Sequence, residues 1–437
     1  MFRLLKKLPS NGVIRRRWMS NTTTVMSFGD GTHGALGLPA SITGIGSDAY
    51  EPTAISSLPP DVCSIAAGHY HSLAVTSQGH LWSWGRNVEG QLGRGVGSPR
   101  ETWSRPQRVE GLSSVRSAFA SGVVSAAIGL DGSLWVWGKS KRGQLGLGNG
   151  ITEAVFPSRI EALAKEEIIK VSLGWGHALA LTKDGKLFGW GYSADGRLGT
   201  RGGTTRASSL DSNGNMSTIA DQTSSSKVEA AAKVVLEAMD KENDMPIVWE
   251  PCLIEELEGV KVVDISCGLD HTLVLQSDGI LLSGGSNTYG QLGRSKQDLG
   301  LLPVDTKERA VCVASGLGHS LAICKIPKAG GMTEGILSWG WNQNSQLGRV
   351  GPENLPNLVV GLLGEKLLSV SGGRVHSLAL TSAREVFVWG CGRNGRLGLG
   401  SSIDEPEPML VELPEGVEVL QAVSGFDHNL ILTTETF

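Results

Sequence analysis

The sequence predicts an all-β fold, a seven-bladed β-propeller, and three observations carry that expectation. A hook phrase recurs seven times: Trp-Gly or its relic, a polar loop, then Gly-Gln-Leu-Gly or a variant, beginning at Phe28, Trp84, Trp137, Trp190, Gly284, Trp339 and Trp389. A second phrase, Gly-x-x-His before an apolar alternation, also occurs seven times, once with Ser in place of His, from Gly68, Gly122, Gly174, Gly268, Gly316, Gly373 and Gly425. Repetition at roughly 50 residues marks a solenoid or propeller. Third, VMSFGDGTHGALG at 25–37 is only the second half of a repeat, and AVSGFDHNLILTT at 422–434 only the first. Joined, they complete a blade and hide edges that would otherwise template aggregation.

The chain starts with a basic leader. Residues 1–24 hold Arg3, Lys6, Lys7, Arg15, Arg16 and Arg17 without an acid, so the net charge of −4 conceals a remainder with 33 basic and 43 acidic side chains, or −10. An acid-free leader rich in Arg, Ser and Thr, able to set Phe2, Leu4 and Leu5 opposite its charges, has the organelle transit pattern and lacks a secretory apolar run. Arg16, three positions before Met19, suits mitochondrial processing, so residues 1–20 are expected to be a transit peptide to the matrix. A nuclear localisation run at Arg15 to Arg17 keeps nucleus or cytosol open. No apolar stretch reaches the roughly 18 residues of a membrane span.

The propeller is expected over residues 25–435 as one domain, monomeric, because repeats bury their cores against one another. In residues 65–93, His71, Leu73 and Val75 alternate, Gln78-Gly79 turns, and Leu81 to Trp84 resume. This is a hairpin about a Gly turn, repeated at Asp131-Gly132, Asp184-Gly185 and Asp278-Gly279. A further phrase precedes each hairpin, as in PTAISSL from Pro52, PSRIEAL from Pro157 and PCLIEEL from Pro251. Pro is tolerated at a strand's first residue or on an edge, so each repeat supplies about four short strands, one blade.

Between the hooks at Trp190 and Gly284 the chain gains about 40 residues, an insertion over 200–247. Its first part is polar and Gly/Ser-rich and reads as flexible. KVEAAAKVVLEAMDKE at 227–242 then sets Val228, Ala231, Val235 and Met239 on a helical stripe. A solvated excursion and a tethered partner-binding helix are both open, since loops this long are disordered or functional.

Residues present in nearly every blade are expected to be structural. Trp84, Trp137, Trp190, Trp339 and Trp389 should wedge between blades with the indole N–H on a partner. His71, His177, His271, His319, His376 and His428 fall one per blade, too dispersed for a metal centre, and read as hydrogen-bonded structural histidines. Two positions depart: Ser125 replaces an expected His, and Gly284 an expected Trp, where the missing indole is either repacked or leaves a useful pocket. The six cysteines never form C-x-x-C and read as reduced, buried and idle, without disulfide or zinc spacing.

No catalytic constellation is present: neither a phosphate-cradling G-x-x-x-x-G-K-[ST] nor H-E-x-x-H occurs, so no enzyme activity and no cofactor or metal is expected. The hook loops all project from one face. They carry Arg86, Lys139, Lys141, Arg142, Arg197, Arg393 and Arg396 against Asp30, Glu89 and Asp195, a +4 rim on an acidic body. Arg94, Arg294 and Arg349 extend it, and Tyr192, Tyr289 and Trp341 are interspersed. Cations among aromatics suit single-stranded nucleic acid. Arg kept for blade packing or solubility is the competing reading.

The combination of Trp-Gly, Gly-Gln-Leu-Gly and Gly-x-x-His resembles the regulator of chromosome condensation repeat family over about residues 25–435. Resemblance to its mitochondrial, plant-type members implies a non-catalytic scaffold with protein partners, and RNA, in RNA processing, splicing, ribosome assembly or respiratory-complex biogenesis. The founding member implies guanine-nucleotide exchange on a small GTPase. The chain is also similar to the plant ultraviolet-B photoreceptor, which uses clustered Trp in Gly-Trp-Arg-His-Thr motifs. Only Gly174-Trp175-Gly176-His177 comes near; the matching positions read as Tyr70, Val123, Leu269, Leu317, Arg374 and Phe426, and the chain ends at Phe437, so photoreception is not expected.

Overall fold

The computed structural model describes residues 22–39, 47–97, 99–200, 246–296 and 298–435, which form seven four-stranded antiparallel sheets. The leader (1–20) and residues 201–245 of the insertion lie outside the described residues. Among the described residues no helix is long and apolar enough to cross a membrane.

Each blade is organised by its second strand. His71–Thr76, His177–Thr182 and His376–Thr381 are buried along their whole length, because neighbouring sheets cover both faces. The innermost strands alternate instead. Their Ser117, Ser172, Ser266 and Ser371 line a central channel of about 480 Å³, while Val171, Ile265, Val313 and Val370 turn into the core.

The outermost strands are short or irregular, as an edge should be. Pro52, Pro157 and Pro251 sit on them as expected, but inside the strands Ala49–Ala54, Glu153–Arg159 and Ile247–Leu253 rather than at their starts. Each falls in a stretch where the pairing register skips, so the missing N–H leaves no gap in a ladder.

Closure follows the half-repeats. Thr23–Gly29 pairs with the last strand, His428–Glu435, in unbroken register from Thr23 opposite Thr434 to Gly29 opposite His428. One blade therefore takes its two outer strands from the start of the chain and its two inner strands from the end.

Candidate interaction face

The hook loops and the Gly-x-x-His turns share one face, since both follow strands running the same way through the sheet. Their repeated residues form two belts of hydrogen bonds between blades. In the first, each indole N–H donates to a carbonyl of the preceding hook: Trp84 to Ala35, Trp137 to Gln91, Trp190 to Gln144, Trp339 to Gln291 and Trp389 to Gln346, at 2.7–2.9 Å. All five rings are fully buried. The hook's last Gly makes room: Gly93 has φ +69°, and a Cβ there would come 2.9 Å from Trp137 Nε1.

Two blades lack the Trp, and both are filled. Phe28 is fully buried in one. At Gly284, backbone takes the indole's place: a Cβ there would meet Gly196 O at 2.6 Å and Gly300 O and Leu301 Cδ2 at 3.0 Å. The hook before each of these blades carries Arg, as Arg197 or Arg396, where Gln precedes four of the five Trp.

The second belt links histidines. His71 Nε2 meets Ser125 Oγ at 2.7 Å, His177 meets Thr272 at 3.0 Å, His271 meets Ser320 at 3.0 Å, and His319 meets Ser377 at 2.9 Å. His376 meets Asn429 Oδ1 and His428 meets Ser72, both at 2.9 Å. Ser72, Ser125, Ser320 and Ser377 each donate onward to a hook carbonyl. A hydroxyl has one proton, so these imidazoles must donate from Nε2, and the enclosed Nδ1 atoms of His71, His271 and His319 have no acceptor among the described residues that a second proton could use. Burial pushes His71, His271, His319 and His376 down to about 3. Among the described residues no cluster of three or more His, Cys, Asp or Glu could hold a metal.

Strand pairing corrects the reading of Ser125. Val124 pairs with Gly138 as His71 pairs with Gly85, so Val124 stands at the histidine position. Ser125 corresponds to Ser72 and is the acceptor for His71. The Gly122 turn is one residue short, which displaced the phrase. Likewise His69, not Tyr70, corresponds to Trp175.

The basic rim is smaller than the sequence suggested. Arg197 and Arg396 are 2% exposed. Arg197 pairs with Asp270 at 2.7 Å and Asp195 at 3.2 Å; Arg396 pairs with Asp427 at 3.1 Å. These two are internal braces, not surface for a ligand. Arg294 and Arg349 are also buried, each donating to backbone carbonyls, among them Asp298 O and Ser338 O. Arg94 donates to Gln107. Arg86 is paired with Glu89 and Lys139 with Glu153. Lys139, Lys141 and Arg393 are exposed and Arg142 is half-buried, so the accessible cations gather on the hook at 139–142. Arg142 lies 5.3 Å from the Tyr192 ring centre, with Arg197 at 4.8 Å. Across the ring, Tyr289 and Trp341 stack at 5.5 Å beside Asn287, Gln343 and Asn354.

The cysteines are free, with Cys267, Cys324 and Cys391 buried and Cys63 exposed rather than buried. Cys267 is pushed up to about 12 by burial.

A feature no single repeat announces closes the channel at the hook end. His69 lies between Phe426, at 4.2 Å and 30°, and Trp175, at 5.2 Å and 21°. Tyr70 packs edge-on against His69 and against His33. Arg374 sits over Phe426 at 4.9 Å and pairs with Asp427, and Arg86 sits 5.2 Å from the Tyr70 ring. These rings come from three blades and meet because backbone bonds stitch the turns together: Phe426 N donates to Gly68 O at 3.1 Å and Arg374 N to Phe426 O at 2.9 Å. Trp175 stacks on a histidine, with no second Trp in the cluster.

Comparison with known proteins agrees with this architecture. The model of the RCC1-like domain matches residues 24–431. The chain is 27% identical to the Ultraviolet-B receptor UVR8 of Arabidopsis thaliana, covering 87% of this chain and 76% of that protein. It is 28% identical to the RCC1 domain-containing protein RUG3, mitochondrial, of the same plant, covering 73% of this chain and 79% of the relative. The crystal structure of Prp20p from Saccharomyces cerevisiae superposes with a TM-score of 0.72 at 21% identity, over 96% of this chain and 93% of that one, a likeness of fold. With almost its whole length matched, the chain belongs to the RCC1-like domain family.

Proposed function

We propose that the protein is a non-catalytic interaction scaffold of mitochondria that holds RNA and assembly partners on its hook face. The observation that carries this reading is the concentration of accessible cations at Lys139, Lys141 and Arg142 beside Tyr192, on a body whose remaining charge is acidic. Cations beside an aromatic ring are the chemistry of phosphate contact combined with base stacking. The acid-free leader and the likeness to a relative named as mitochondrial support the compartment. The likeness to Prp20p is one of fold and does not carry nucleotide exchange across.

Crosslinking and recovery of RNA and protein from isolated mitochondria tests the reading, with residues 1–30 fused to a reporter as its companion. Recovered RNA that is lost when Lys139, Lys141 and Arg142 are reversed to Glu supports it. A nuclear reporter, or retention unchanged by the reversal, overturns it.

A further inference from the structure

The aromatic cluster at the channel mouth is not used by the basic hook, yet it lies beside it. Trp175 is 42% exposed, unlike the buried hook tryptophans, while His69 supports its inner side. Arg142 runs next to it: a Cβ on Gly176 would come within 2.5 Å of Arg142 Cδ, so the guanidinium stem passes directly against the residue following Trp175. Glycine at 176 is what permits that approach. His69 Nδ1 and His33 Nδ1, on either side of Tyr70, are enclosed and have no protein partner. A half-exposed indole backed by the His69 ring and flanked by cations describes a subsite for a flat heteroaromatic group carried on an anionic chain.

We infer that Trp175 is the stacking platform for one unpaired base of a single-stranded RNA whose adjacent phosphates lie along Arg142 and Lys141. The inference rests on the RNA reading above and assigns it a residue outside the basic rim. Stacking is tolerant of sequence, because every base has a π face. Phosphate contacts set the salt dependence, and the platform sets the preference for an intact base.

The test is equilibrium binding of an oligouridine, and of the same strand made abasic, to the full chain and to Trp175→Ala, Trp175→Phe and Trp175→Leu. Thermal midpoints confirm that each variant is folded, and Leu retains apolar contact with His69 if Ala does not fold. Trp175→Ala and Trp175→Leu are expected to weaken the oligouridine roughly 5- to 150-fold with the salt slope unchanged, while Phe retains most of the affinity. The abasic strand should bind the wild type more weakly and be indifferent to these substitutions. Equal oligouridine binding by all four proteins, with loss only on reversal of Lys139, Lys141 and Arg142, overturns the platform and leaves the RNA reading standing. If the wild type retains no RNA, both fall.

Discussion

Val124 and Ala178 occupy facing positions in adjacent blades where the other blade pairs place a histidine and its hydrogen-bonding partner. Val124 takes the register of His71, and Ala178, opposite Trp190, takes that of Ser72. Both are buried in one apolar cluster. The donor and its acceptor are missing together, so neither is left unsatisfied, and the belt of imidazole bonds is interrupted at one joint only.

Restoring half of that joint should cost stability and restoring both should recover part of it. Val124→His alone buries an imidazole without an acceptor, at about 1–3 kcal/mol. Ala178→Ser alone should be milder, since its hydroxyl can donate to Gln144 O as Ser125 does to Gln91 O. A urea-unfolding double-mutant cycle should show favourable coupling of about 1 kcal/mol. Strict additivity would sink the pairing.

Acid should unfold this protein through its histidines. They titrate near 6.5 when unfolded, while native His271 and His319 lie at about 3 and His428 at about 4. Below 6.5 the unfolded chain binds protons that the native state refuses. Stability is therefore complete above that pH and lost as pH falls toward the native values, by about 1.4 kcal/mol per pH unit for each such residue. Urea midpoints measured between pH 8 and pH 4.5, about the usable range, should fall steeply below roughly pH 6.5; a flat profile contradicts the neutral, buried assignment.

Trp339→Phe keeps the ring and loses the bond to Gln291 O, so it should cost about 1 kcal/mol. Trp339→Ala opens a cavity and should cost about 3–5 kcal/mol. Phe28, which fills the same blade position without an N–H, shows that a ring can suffice there. Calorimetric midpoints would check the order, and equal losses for Phe and Ala would refute the packing role.

Arg197→Ala should destabilise by about 1–3 kcal/mol, because it removes a buried cation that holds the half-exposed Asp270 and Asp195, which water can partly resolvate. Lys141→Glu should stay within about 0.5 kcal/mol of wild type while weakening RNA retention. Chemical denaturation and filter binding, done on both, separate brace from surface. An Arg197→Ala protein as stable as wild type would return Arg197 to the rim.

The ring, its closure and its Trp belt could be read from repetition, because a phrase written seven times reports on one local environment. Single letters within the phrase were less informative. Arg142 and Arg197 both look like loop cations, yet one lies along the face and the other is buried, because Arg142 precedes its hook glycine, Gly143, while Arg197 follows Gly196 at the inward position that Gln144 holds in the other hook. A one-residue shortening after Gly122 moved Ser125 out of apparent register. The His69, Trp175 and Phe426 stack was invisible because its members are brought together only when the ring closes.

That closure also governs the order in which the molecule can be finished. Six blades are completed from contiguous chain, but Thr23–Gly29 must wait for His428–Glu435, and Thr433 donates to Thr24 O across 409 residues. A chain emerging from its first residue onward can pair that strand with Ala49–Ala54, but its inner edge stays open until the final strand arrives, an aggregation hazard throughout synthesis or translocation. A lesion confined to the last eight residues of the described chain therefore also strips the inner edge of the first strand and leaves it in a two-stranded remnant with Ala49–Ala54, so that damage at one extremity is felt at the other.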